Sequence, residues 1–332
     1  RHKYLAGVYE CQAAERAIMK PGQSGISEYA VSYALHALDQ RRMNVLYMLP
    51  TVGDISDFSQ MRIGPALEAS QYLAGLVVDG HETSKKGTDR VRLKRLRGNF
   101  LVLRGAQVRM GQSGERRGAS QIKAVPADAI VFDEFDEMPP GVEALGEKRL
   151  GHSAMKEQIF LSTPTFPGVG IHVKWLQSDQ RLWFVPCPHC GARQEITIQD
   201  VVTDWDDLER PEHWHGQEEG RAWAACRRCG RELERLAAGE WVATYPGREV
   251  AGFSFNKLVT AQNDPLAVVM ALRTTDPYKR QEAFNQDLGQ PYRPRGGGLT
   301  ETELDGARRT YGHGAVPGER GCVMGVDVGR FL

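Results

Sequence analysis

The chain has 332 residues, 41% hydrophobic and 25% charged, and its 42 Lys plus Arg equal its 42 Asp plus Glu. That length carries two or three domains, or one large core with a small satellite. The composition suits an ordinary globular protein, and no apolar run is long enough to span a membrane as a helix. The balanced charge argues neither for nor against nucleic acid. Its distribution is uneven: from His81 to Ser120, eleven Lys or Arg face three Asp or Glu. Such a stretch is either a solvated face or a surface for a polyanion backbone. A chain that begins with Arg1 and shows no apolar signal region reads as trimmed, so a targeting signal could have been lost.

In chain order, Arg16 to Met19 is expected as a short strand, and MKPGQSGISE (Met19 to Glu28) as a glycine-bearing loop. Ser27 to Asp39 reads as a helix, and Asn44 to Leu49, stopped by Pro50, as a strand. Loop, helix and strand in that order open an α/β unit. Ser59 to Tyr72 is expected to be helical, with a break near Gly64-Pro65. Phe100 to Met110 suits a strand or hairpin. Two short apolar runs, Ala129 to Phe132 and Gln158 to Leu161, end in Asp133-Glu134 and in Ser162-Thr163-Pro164. Buried strands whose last residues turn polar suit a parallel sheet with its site at the carboxyl edge. Residues 182–240, rich in Trp, His, Cys and charge, read as a metal-stabilised insertion. Pro265 to Leu288 offers one or two helices, Gln290 to Thr300 is a Pro- and Gly-rich linker, and Cys322 to Val328 is a last strand.

The loop at Met19 to Glu28 poses a specific question. A phosphate loop presents successive backbone N–H groups and a helix N-terminus to phosphate oxygens. Gly22 and Gly25 permit that path, and Ser27 stands where a magnesium-binding hydroxyl belongs. Yet Ile26 follows Gly25, where a lysine is usual, and the available cation is Lys20. Alone, the stretch also reads as a turn before a helix. The strand end IVFDE, Ile130 to Glu134, strengthens the phosphate reading. Asp133 can hold magnesium or its water shell, and Glu134 can orient and deprotonate an attacking water. LSTPT, Leu161 to Thr165, is either a capped turn or a γ-phosphate sensor acting through Ser162 or Thr163.

Four of six cysteines form two pairs, Cys187/Cys190 in CPHC and Cys226/Cys229 in CRRC, 35 residues apart. Two such pairs complete a tetrahedral four-thiolate zinc site with no open position, hence a structural one. Gly191 and Gly230 follow each pair, where a metal knuckle needs a permissive backbone. His189, His213 and His215 are read as surface residues rather than substitute ligands. Cys11 and Cys322 are left over, and the pattern suits a reducing compartment better than a disulfide framework.

Taken together, these motifs resemble the large terminase subunit of tailed bacteriophages, in the lambda-like branch. The resemblance rests on a displaced-lysine phosphate loop (Lys20, Gln23, Gly25, Ser27) and NVLYMLPT with Asp54. It rests further on FDEFDEMP (Phe132 to Pro139), STPT (Ser162 to Thr165), the paired cysteines, FNQDLGQPYRP (Phe284 to Pro294) and GVDVGR (Gly325 to Arg330). It implies a P-loop NTPase with a central, mainly parallel sheet, a four-cysteine zinc-binding insertion and the start of an RNase H-like nuclease domain. The expected division is an ATPase core at 1–181, the insertion at 182–240, a helical extension at 241–290, a linker at 291–320, and a first nuclease strand at 321–332. The implied site uses Lys20, Gly22, Gln23, Ser24, Gly25, Ile26, Ser27 and Glu28 for ATP, Ser27 and Asp133 for Mg2+, Glu134 for water, and Ser162 and Thr163 for coupling. Asp327 matches the first carboxylate of a two-metal nuclease site whose other ligands lie later in the family. A fragment ending at Leu332 is therefore expected to be an ATPase without a complete nuclease. The implied partners are double-stranded DNA, a small terminase subunit, a procapsid portal and other copies in a ring, in the host cytoplasm rather than in the mature virion. Arg104, Arg109, Arg116 and Arg117 are candidates for an arginine supplied to a neighbouring subunit, and Lys85, Lys86, Arg92, Lys94, Arg95 and Arg97 for DNA contact. Two other readings stay open at the level of residues: a helicase-like ATPase, and a zinc-stabilised DNA-binding or assembly protein with an inactive nucleotide fold.

Overall fold

The structure, a computed structural model, describes residues 2–76, 91–107, 125–204 and 211–294, with the backbone alone of 109–110 and 116–117. Two compact units divide the chain, Arg1–Arg293 and Pro294–Leu332. Beyond Pro294 the second unit lies outside the described residues, and with it most of the expected linker, the expected nuclease strand and Asp327.

Among the described residues the first unit is organised by a ten-stranded sheet. Its strands are β1 (Glu15–Met19), β2 (Val45–Leu49), β3 (Leu93–Leu96), β4 (Asn99–Gly105), β7 (Ala129–Asp133), β8 (Glu157–Ser162), β9 (Arg181–Pro186), β10 (Arg193–Glu195), β11 (Glu240–Ala243) and β12 (Ala251–Ser254). A separate pair, β5 (Arg109–Met110) and β6 (Arg116–Arg117), is antiparallel. The order is β10-β9-β12-β1-β8-β7-β2-β4-β3, with β11 also on β9. Every pairing from β9 to β4 is parallel, and the outer pairings of β9 with β10 and β11, and of β3 with β4, are antiparallel.

Parallel strands need both faces covered, so they read as continuous apolar runs. β2 and β7 are buried at all five positions. Their side chains still alternate between two cores: Val45, Tyr47, Leu49, Ala129 and Val131 face one, and Leu46, Met48, Ile130 and Phe132 the other. The first core is closed by the helix α2 (Ile26–Asp39), which buries Ile26, Tyr29, Ala30, Ala34 and Leu38. The second is closed in part by the helix Gly170–Gln177 through Ile171, and its centre is the stacked pair Phe132–Phe160, with centroids 4.7 Å apart. Fully burying one such ring is worth roughly 1.5–3 kcal/mol.

Three expectations change. The helical segment after β2 begins earlier and is not broken at Gly64-Pro65: α3 (Val52–Phe58), a π turn (Ser59–Ile63) and α4 (Gly64–Glu68) follow without a gap, before α5 (Gln71–Leu76). Thr51 and Asp54 start α3 with reciprocal capping bonds. Pro65 stands just after the π turn, at the beginning of α4. The stretch 241–290 is not purely helical. Its β12 lies between β1 and β9 in the middle of the sheet, a four-residue strand too short to stand out among helical signals. Finally, the cysteine-bearing insertion is not set apart from the core, because β9, β10 and β11 belong to the main sheet. Of the basic tract, Lys85 and Lys86 lie outside the described residues and Lys94 is buried. Arg97 pairs with Asp39, while Arg92 and Arg95 are exposed.

Candidate functional site

Strand β1 delivers the loop. Lys20 leaves its end and donates its N–H to the Ser162 carbonyl at 3.0 Å, so the loop starts tied to the end of β8. Gln23 and Gly25 have φ of 55° and 82°, the left-handed region, which turns successive N–H groups toward one concavity. Gly25 caps α2, and the Ile26 side chain is buried in the core beneath the loop. Only the Ile26 backbone is thus available to a ligand. From the other side, the helix α1 (Lys3–Glu10) braces the loop, with the Tyr4 hydroxyl donating to the Ser24 carbonyl at 2.7 Å. The Ser24 hydroxyl is buried without a hydrogen-bond partner.

β7 delivers the carboxylates. Asp133 is 2% exposed, and Tyr47 from β2 donates to its Oδ2 at 2.7 Å. Its Oδ1 is buried and has no hydrogen-bond partner. Burial pushes the Asp133 carboxyl up to about 6, against the pull of Lys20 and with repulsion from Glu134 added. A buried carboxylate with an open oxygen fits a hard cation or its water, which would restore the charged form. Glu134 sits at φ 57° and ψ 54°. That left-handed conformation costs an ordinary residue on the order of 1 kcal/mol and turns the strand end sharply.

The two strand ends meet. The Lys20 ammonium, on a residue only 4% exposed, donates to Glu134 Oε1 at 2.7 Å. The Thr163 N–H faces Glu134 Oε2 at 3.5 Å. Lys20, Glu134, Thr163 and the loop from Gly22 to Glu28 line one cavity of about 660 Å³. Ser162 is placed differently. Its hydroxyl donates to the Thr163 carbonyl and accepts from the Asp136 N–H, so it braces two turns rather than facing the cavity.

Several residues were missed by motif reading. Tyr47 stands in the NVLYMLPT segment, with no role of its own attached to it. Asp136 accepts from the Thr165 N–H and hydroxyl and from the Ile171 N–H, locking the turn after β7 to the turn after β8. The repeated acid in FDEFDE was its only sequence signal. Gln286 carries the carbonyl that accepts the Gly22 N–H at 2.8 Å, and it lines the cavity, as Arg62 and Gln262 do. Nothing local marks Arg62 or Gln262, and Gln286 stands only within FNQDLGQPYRP, with no role attached to it. Arg104 donates to the Leu103 carbonyl, and burial together with Arg92 lowers its pKa. The side chains of Arg109, Arg116 and Arg117 lie outside the described residues.

A second cluster forms beyond β9. The sulfurs of Cys187, Cys190, Cys226 and Cys229 all lie within 4.8 Å of one another, with Cys187–Cys229 and Cys190–Cys226 at 3.7 Å. Sulfurs about 2.3 Å from a tetrahedral zinc stand roughly 3.8 Å apart, so the donor set fits. The two knuckles share one geometry. Gly191 and Gly230, with φ of 72° and 70°, donate back to the Cys187 and Cys226 carbonyls. Arg227 ties the second knuckle to the first arm through Asp200 and the Glu195 carbonyl. His215 stacks on Trp223, and four thiolates need no imidazole.

A mainly parallel sheet that feeds a glycine-bearing loop and helix, with paired carboxylates ending a strand one removed from the loop's own, has the architecture of the P-loop class. The family model for the ATPase domain of the phage terminase large subunit gpA matches residues 4–243. The chain belongs to that family. It is similar to the terminase large subunit of Escherichia phage lambda, 25% identical over 189 residues, covering 56% of this chain and 28% of the relative. The terminase large subunit of Enterobacteria phage P21 is 23% identical over 193 residues, covering 55% and 28%. In both pairs the match spans little more than a quarter of the relative's length. A variant of the large terminase ATPase domain of Thermus phage P74-26 matches over 88% of this chain and 94% of its own, at 13% identity and a TM-score of 0.46.

Proposed function

We propose that this chain is the ATP-hydrolysing motor part of a terminase large subunit that drives double-stranded DNA into a procapsid. The carrying observation is the Lys20–Glu134 contact at a cavity that the loop residues Gly22 to Glu28 also line. In this reading ATP lies with its phosphates on the N–H groups of Gln23 to Ser27, the Gly22 N–H being held by the Gln286 carbonyl. Lys20 exchanges Glu134 for phosphate oxygens, which frees Glu134 to hold and deprotonate a water. Ser27 and Asp133 would hold magnesium, which offsets phosphate charge when bound. Loss of the γ-phosphate is felt at Thr163 and relayed through Asp136 to the turns at Thr165 and Ile171. Ser162 acts as a brace in that relay. The four cysteines hold a structural zinc.

The wider protein would work with a small terminase subunit, a portal and other copies of itself in the host cytoplasm. A nuclease domain starting near 321–332 would follow a linker at 291–320, with Asp327 as its first metal ligand. The test is magnesium-dependent ATP turnover by the 332-residue chain, with and without DNA, beside Glu134→Gln. The variant should bind nucleotide and lose about 10²–10⁴-fold in turnover. Undiminished turnover in it would sink the assignment.

A further inference from the structure

The phosphate cavity contains a second strong cation that neither the loop nor the acidic strand end supplies. Among the described residues lining it, the Lys and Arg side chains are Lys20 and Arg62. Arg62 stands in the π turn Ser59–Ile63, between α3 and α4. Ser59 and Ile63 are buried and fix that turn on the core, while the Arg62 side chain is 53% exposed. π turns inside helices are rare and recur at functional sites. The guanidinium pairs with Glu28, itself 52% exposed, in the first turn of α2.

That pair is poorly suited to a structural role. Ion pairs between half-exposed groups add little stability, so breaking this one costs little. Glu28 is also an odd neighbour for a phosphate loop. It puts a negative charge one residue after Ser27, at the helix end where phosphate is expected. Arg62 masks that charge through its ion pair. Magnesium-bound nucleoside triphosphate retains net negative charge, and Lys20 alone does not offset it. A guanidinium can bind either group through two oxygens, and it gains more from a polyphosphate because that carries more negative charge than one half-exposed carboxylate.

We propose that Arg62 is a phosphate-binding residue of this site, exchanging Glu28 for the polyphosphate of a nucleoside triphosphate. It comes from the segment after β2, whereas Lys20 comes from the end of β1. The proposal rests on the phosphate-loop reading above, and the test separates the two.

Equilibrium binding of magnesium-ATP, and its competition by inorganic triphosphate, is measured on the whole chain for wild type, Lys20→Ala, Arg62→Ala, Arg62→Lys and Glu28→Gln. Arg62→Ala should weaken both ligands about tenfold with an unchanged melting temperature, and Arg62→Lys should recover part of that loss. Glu28→Gln should tighten binding several-fold in the presence of Arg62 and much less in the Arg62→Ala background. Wild-type affinity in Arg62→Ala, beside a large loss in Lys20→Ala, overturns the role of Arg62 and leaves the phosphate-loop reading standing. Glu28→Gln weakening binding as much as Arg62→Ala does makes the pair structural and also overturns it. No magnesium-ATP binding by the wild type overturns both readings.

Discussion

The same central strands carry buried charge at both ends, and the two ends differ in how fully their carboxylates are satisfied, although Arg16 Nε at the amino end is also buried without a partner. At the amino end, Glu157 of β8 accepts from Arg16, Arg41 and the Tyr33 hydroxyl, so both carboxylate oxygens are bonded. At the carboxyl end, Lys20 meets a single Glu134 oxygen, Asp133 keeps an open oxygen, and Glu134 sits in a strained conformation beside a cavity. Buried charge by itself therefore does not mark a site. What separates the ends is a carboxylate oxygen of Asp133 left buried without a partner, next to a Lys20–Glu134 pair that lines a cavity; such an acceptor costs stability unless a ligand completes it.

The largest expected effect sets both ends apart from the cysteine cluster. If the proposed zinc sits in the four-cysteine cluster, removing it with a chelator should cost the knuckles on the order of 10 kcal/mol of binding-coupled folding. Hydrogen exchange should then rise sharply over 187–233 and much less over β1, β7 and β8. Uniform loss of protection would show that the cluster holds the sheet itself, as the sharing of β9, β10 and β11 allows.

Next in size is the amino-end cluster. Glu157→Gln strands Arg16 in the core and should cost about 3 kcal/mol in denaturant unfolding, with nucleotide affinity unchanged. Lys20→Ala should do the reverse: nucleotide affinity falls about 100-fold while stability changes little, since Glu134 can turn to water. If each variant damaged both properties equally, the contrast between the two ends would collapse.

The smallest effect is the pH dependence of the amino end. The Glu157 carboxyl is desolvated, which raises its pKa, but bonds from Arg41 and Tyr33 and the charge of Arg16 outweigh this and hold it below the ordinary 4.5. A depressed carboxylate stabilises the fold above its unfolded pKa and loses that contribution as pH falls through the folded one. The melting temperature of the wild type should therefore drop more steeply than that of Glu157→Gln below about pH 4.5. Parallel acid limbs would remove Glu157 from the account.

The elements that carry the fold were legible where burial writes itself into the sequence. β1, β2, β7 and β8 are short, wholly or nearly buried runs between breakers, and each lies within a residue or two of its expected place. The knuckles were legible because tetrahedral thiolate chemistry fixes their spacing. β12 was not, because four small or apolar residues acquire strand character only from β1 and β9 beside them. Arg62 was not, and the roles of Gln286 and Asp136 were not although both stand in quoted motifs, because those roles depend on segments brought together from distant parts of the chain.

The sequence by itself determined the motif series: the early lysine, the two glycines, Ser27, the acid pair at a strand end and the two C-x-x-C pairs. These follow from chemistry that needs fixed residue types at short spacing. Only the tertiary structure decided where Lys20 points, that Asp133 keeps one oxygen open, and that Ser162 braces turns instead of facing the cavity. Those outcomes depend on how parallel strands bring their carboxyl ends into register. In β1, Met19 stands opposite Ser162 of β8, and in β8, Leu161 stands opposite Asp133 of β7. That register sets Lys20, one residue on, within hydrogen-bond reach of Glu134.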